Sequence, residues 1–150
     1  MHAEINPWQP ARFPAHGEVQ IDWNDRLLLI QARGPFNAEL MVRGTTAIAD
    51  LRAARPADGR YVELVHWQDS MLMPPEAWVR FEKAVRLFVS AGLNGTHTLC
   101  VAAPEVEARW LMLPRMVALW EESRPVELFE QLEPALARAR ELTAEPPASA

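Results

Sequence analysis

From residue 17 onward, apolar and polar side chains alternate. Val19, Ile21 and Trp23 are separated by Gln20 and Asp22, a period of two that predicts a half-buried strand over Gly17–Trp23. Asn24-Asp25 makes a tight turn and Leu27–Arg33 a second strand, so the pair reads as an antiparallel hairpin. Gly34-Pro35 closes it. Asn37 is placed to cap a helix over Ala38–Ala53, on which Leu40, Met41, Ile48 and Leu51 gather on one side. Arg60–Trp67 alternates again as a third strand. Pro74-Pro75 opens the next helix, because the first turn does not need the N–H that proline lacks. Trp78, Phe81, Val85 and Phe88 form one apolar stripe at helical spacing, and Gly92 ends it. Thr96–Ala103 reads as a strand, Pro104–Glu122 as a helix kinked at Pro114, Pro125–Phe129 as a short strand and Glu130–Thr143 as a closing helix.

The order is β-β-α-β-α-β-α-β-α, an α/β fold. Strands alternating with helices need crossover connections, so the pattern predicts a mainly parallel five-stranded sheet with one antiparallel hairpin strand. Strands covered on both faces read as continuous apolar runs, yet Gln20, Asp22, Gln31, Glu63, Thr98 and Glu127 interrupt these. Helices are therefore expected mainly on one face. Residues 1–16, with three prolines, read as an irregular arm pinned by Trp8 and Phe13. Residues 17–143 read as one domain and 144–150 as a tail.

Composition narrows the function classes. The 150 residues carry a formal net charge of −5, which argues against a nucleic-acid partner. No apolar run is long enough to span a membrane and no signal peptide is visible, so a cytoplasmic location is expected. One cysteine excludes an internal disulfide and a thiolate zinc cluster. The histidines, at 2, 16, 66 and 97, lack metal-ligand spacing, so no metal is expected. Six unclustered glycines offer no phosphate-binding loop, so no cofactor is expected. Cys100, among apolar residues in mid-strand, reads as a buried structural thiol.

Two regions carry candidate function. His66 ends the third strand, and open α/β sheets bind ligands at strand C-terminal ends. His66, Trp67, Asp69, Ser70, Glu76 and Trp78 are thus the expected rim of a ligand site; an enzymatic alternative uses His66, Asp69 and Ser70. The second region is the helix 104–122. Val106, Trp110, Leu113, Val117 and Trp120 suffice for a core-facing stripe. Leu111, Met112, Met116 and Leu119 are left over. A second subunit would cover them, giving a homodimer, unless they line a pocket or a bend at Pro114 turns both faces inward.

The hairpin followed by Gly34-Pro35-Phe36-Asn37, the helix Glu76–Gly92, the strand entry GLNGTHTLCVAA and the closing RPVELFEQLEPALARARELT resemble the SpoIIAA-like (STAS/SEC14-type) bacterial proteins over residues 17–143. The resemblance implies a STAS-like fold and a class whose members are mostly not enzymes. They include regulators in anti-sigma-factor antagonism and modules attached to anion transporters. Antagonist members carry an Asp-Ser pair after the third strand, with the serine phosphorylated. Asp69-Ser70 stands in that region, which makes Ser70 a candidate phosphoacceptor, although Met71-Leu72-Met73-Pro74 replaces the family's small residue and glycine. The expected role is a non-enzymatic protein–protein interaction or regulatory module. The alternative, favoured by six tryptophans and the SEC14-type likeness, is a carrier or sensor of a small apolar ligand or lipid, with its pocket near the strand ends.

Overall fold

The computed structural model describes residues 2–5, 17–44 and 47–144. The fold is α/β. Its sheet is built from β1 (His2–Ile5), β2 (Glu18–Asn24), β3 (Leu27–Arg33), β4 (Val62–Gln68), β5 (His97–Ala102) and β6 (Val126–Phe129). The helices are α1 (Ala38–Gly44), α2 (Ile48–Ala54), α3 (Pro75–Ser90), α4 (Arg109–Trp120) and α5 (Leu132–Ala144). The strands lie side by side in chain order. β1–β2 and β2–β3 are antiparallel, and β3–β4, β4–β5 and β5–β6 are parallel.

The five strands expected from periodicity all form. A sixth, β1, adds to the edge of the hairpin from within the segment expected to be irregular. The rest of that arm, with Trp8 and Phe13, lies outside the described residues, as does the expected tail beyond Ala144. The helix expected over Ala38–Ala53 is two helices, α1 and α2. α1 ends at Gly44, the weakest helix former short of proline. The Leu40 amide donates to Asn37 Oδ1 at 3.1 Å, so the expected cap is made. α3 ends as expected: Gly92 takes a φ of 82°, and the Leu93 amide reaches back to the Phe88 carbonyl at 2.8 Å.

Successive strand residues point to opposite faces. Ala32, Val65, Trp67, Cys100 and Ala102 face a layer containing Phe36, Leu40, Trp78, Met112, Met116 and Trp120. Leu51 of α2 packs on the same face, against Ile21 and Leu28. On the opposite face Val62, Leu64, Leu99 and Val101 meet Ala135 and Ala139 of α5. Four helices thus cover one face and α5 covers part of the other. Gln20 is exposed, and Asp22, Gln31 and Glu127 are half-buried, as a partly covered face allows. Glu63 and Thr98 are the exceptions: both are buried, on the face with four helices.

The interface expected on α4 requires correction. Met112 and Met116 are fully buried (0 % exposed) and Leu119 is buried, all within this one chain. Trp110, assigned to the core stripe, is 80 % exposed, and its neighbour Leu111 is exposed too. The inward face is Met112, Leu113, Met116, Leu119 and Trp120, rotated from the expected stripe. Pro114 sits on the outward side, where water can serve the Trp110 carbonyl that its missing N–H leaves free. Met116→Ala should therefore cost about 2–5 kcal/mol in urea unfolding. Trp110→Ala should stay within about 0.5 kcal/mol of the parent.

Candidate functional site

The loops leaving β3, β4 and β5 are joined by backbone hydrogen bonds. The Gly34 amide donates to the Ser70 carbonyl at 3.1 Å and the Phe36 amide to that of Leu72 at 3.0 Å. The Met71 amide donates to the Glu107 carbonyl at 2.9 Å and the Glu107 amide to that of Asp69 at 3.0 Å. A side chain at Gly34 would overlap the Ser70 carbonyl oxygen, so glycine is needed where the first two loops cross. The segment 69–73 therefore occupies the ends of the parallel strands, where an open sheet of this class would present a crevice.

This closure separates the residues expected to rim a site. Ser70 is 3 % exposed. Its Oγ donates to Glu107 Oε1 at 2.7 Å and accepts from the Leu72 amide at 3.1 Å. A buried hydroxyl held by a carboxylate is poorly placed to accept a phosphoryl group, whose charge Glu107 would repel. The Ser70 and His66 side chains have different partners, Glu107 for Ser70 and Gln68 for His66. Trp67 and His66 are adjacent in a strand and point to opposite faces. Trp67 is buried with Phe36 and Phe81, at ring-centroid distances of 5.6 and 6.3 Å. Trp78 is buried as well, against Phe81 and beneath the Arg115 guanidinium, 4.3 Å from its ring. Glu76 is exposed in the first turn of α3.

His66 and Asp69 do belong to one polar cluster, on the face that α5 partly covers. Arg33 Nη1 donates to Asp69 Oδ2 at 2.6 Å, and Arg33 Nη2 donates to Gln68 Oε1. Arg33 has only donors, so the Gln68 oxygen faces it and the Gln68 nitrogen faces His66 Nδ1, at 3.1 Å. A protonated imidazole would set two donors against each other there. Burial, then Arg33, hold the His66 ring below its ordinary value of 6.5.

The more informative feature lies beneath α1 and α3. Side chains of β2, β3 and β4 and of the two helices line a partly open cavity of about 120 Å³. Phe36, Trp67 and Met73 stand at its strand-end side. Phe81, Ala84, Val85 and Phe88 of α3 form its roof, with Leu40 and Met41 of α1 beside them. At the other end lie Glu63 and Arg124, both buried. The pocket expected at the strand ends is thus displaced along the sheet and under the helices, with Trp67 in its wall and Trp78 outside it.

Arg124 holds the polar end together. Its Nε donates to Thr98 Oγ1 at 2.7 Å, its Nη1 to Ser123 Oγ at 2.9 Å and its Nη2 to Glu63 Oε1 at 3.3 Å. Breaking one member of such a pair leaves a buried charge uncompensated, at a typical cost of about 3–5 kcal/mol. Sequence reasoning missed this cluster. Its signal was a lone carboxylate in the apolar run Tyr61-Val62-Glu63-Leu64-Val65. The partner is 61 residues away, beyond any local pattern. Cys100 faces the same core, and burial pushes its thiol up to about 12, which leaves it unreactive near neutral pH. Among the described residues no group of three metal-ligating side chains assembles, and no helix is long and apolar enough to cross a membrane.

The lowered value at His66 gives a pH dependence. The folded state favours neutral imidazole, so this contribution to stability is complete above the unfolded value near 6.5 and is lost as pH falls through the lower folded value. The urea midpoint should fall between about pH 7 and pH 5, and by less in His66→Gln. Equal slopes in the two proteins would show that His66 does not carry the effect.

Neither a family model nor a curated protein nor a solved structure matches this chain.

Proposed function

We propose that this protein is a non-catalytic module that binds a small, mostly apolar molecule between its sheet and helices α1 and α3. The observation that carries the reading is the cavity of about 120 Å³, aromatic and aliphatic except at Glu63 and Arg124. Small-molecule sites have this character: concave, mainly apolar walls with a few placed polar groups. The volume suits a compact occupant. An apolar cavity of about 150 Å³ holds one benzene ring, whereas a long acyl chain needs far more space. The space within the walls thus suits a ring-sized group. A binding role without catalysis is favoured by the separation of Ser70 from His66 and by the inert setting of Cys100. It agrees with what the STAS-like resemblance implies about enzymatic activity.

Titration with toluene, followed by ligand-observed NMR and thermal unfolding, tests the reading. Saturable binding should raise the melting temperature, because a ligand that binds only the native state stabilises it. Ala84→Phe, and Ala84→Leu as the milder change, fill the cavity from the roof and should abolish the shift. No saturable binding to the parent protein at millimolar toluene would defeat the proposal.

A second reading, contact with a protein partner or a second copy of the chain, draws on one specific feature. Trp110 and Leu111 are exposed together in the first turn of α4, and exposed tryptophan is characteristic of interface hot spots. Sedimentation at micromolar concentration tests the homodimer. A dimer should dissociate in Trp110→Glu, and a 17 kDa species for the parent protein would exclude self-association at that concentration.

A further inference from the structure

We infer that the occupant of the cavity is phenol-like: a single six-membered ring bearing one hydroxyl, which hydrogen-bonds to the Glu63 carboxylate. The inference rests on the binding role proposed above and specifies the chemistry of the ligand. Three observations lead to it. The first is size, since about 120 Å³ is close to the room one aromatic ring needs. The second is the wall, where Phe36, Trp67, Phe81, Phe88 and Trp120 supply ring faces and edges. Aromatic rings gain from edge-to-face packing beyond the area they bury.

The third is the unfinished hydrogen bonding of the polar end. Glu63 is 6 % exposed, yet its single hydrogen bond is the one from Arg124 to Oε1, at 3.3 Å. Charge-assisted pairs usually close to about 2.7–2.9 Å. The Oε2 atom accepts no hydrogen bond, and a carboxylate has about four acceptor sites. Arg124 commits three of its N–H groups, one each to Thr98, Ser123 and Glu63, out of the five a guanidinium carries. The cavity therefore ends on a carboxylate able to accept and a guanidinium able to donate. A hydroxyl both donates and accepts, and so matches the pair. A charged ligand does not: Glu63 and Arg124 already neutralise each other, and an added carboxylate or ammonium would be buried without a counter-charge. A hydrocarbon of equal size fills the volume and leaves Oε2 without a donor.

The experiment compares phenol, anisole and toluene on the full-length protein by calorimetry or ligand-observed NMR. In a purely apolar cavity phenol binds worse than toluene, because its hydroxyl loses water and gains no partner. Here phenol should bind at least about tenfold more tightly than toluene, as expected for a hydrogen bond to a charged acceptor. Anisole has the ring and an acceptor oxygen but no donor for Glu63, and should bind more weakly than phenol; anisole binding as tightly as phenol would overturn the inference. Replacing the pair together, Glu63→Met with Arg124→Met, should bring phenol to or below toluene. The joint change avoids an uncompensated buried charge, and if that variant does not fold, the ligand comparison on the parent protein decides alone. Toluene binding as well as phenol, or better, would overturn the inference and leave the cavity-binding role intact. Absence of binding by all three would overturn both.

Discussion

β4 is the strand that everything else must satisfy. It lies inside the sheet between β3 and β5, and five of its seven residues are buried. A strand buried on both faces needs cover on both, and the fold supplies it unequally. Val65 and Trp67 lie beneath the layer built by α1, α3 and α4, while Val62 and Leu64 lie beneath α5. The parallel pairing of β4 with both neighbours requires crossovers, and these supply α1, α2 and α3 on one face, whereas α5, which covers the other, follows β6. Glu63 is the one residue of β4 that violates its own environment. Its burial is tolerated because Arg124, just before β6, reaches it while bonded to Thr98 and Ser123. The core is therefore continuous with a buried polar cluster, and the cavity lies where the two meet.

Much of this was legible in local patterns. Period two located the hairpin, the stripe from Trp78 to Phe88 located α3, and Asn37 and Gly92 marked helix ends because capping is short-range chemistry. The phase of α4 was not legible. A helix apolar on nearly every side has no single hydrophobic direction, so Trp110 and Met112 compete for the core with no local criterion to rank them. Packing against the sheet decides, and it selects the methionines, whose flexible side chains fit irregular gaps. β1 was missed because edge pairing depends on the neighbouring strand more than on its own four residues.

The candidate site fared differently, and for a reason already available in the sequence. His66 and Trp67 are consecutive in a strand, so alternation alone forbids them from lining one pocket. Grouping residues by nearness along the chain obscured this. Glu63, Val65 and Trp67 share a face, and those are the β4 residues that line the cavity. The identity of the partner for Glu63 was beyond reach, since nothing in the local sequence singles out Arg124 among the 15 Lys and Arg residues.

The position of the cavity follows from the loops. In an open α/β sheet the strand ends are the natural ligand crevice, but here 69–73 is bonded to the exits of both neighbouring strands and takes that space. What remains is the space between the sheet face and two helices of unequal length. α3 has 16 residues and lies across the core, whereas α1 has seven and ends at Gly44. So short a helix has little stability of its own and takes its position from packing. The space is partly open, since Phe81, Ala84, Val85 and Phe88 of α3 are only half-buried, and a single larger side chain at Ala32 or Ala84 would go far to fill it. Small residues at those two positions leave the space between sheet and helices open.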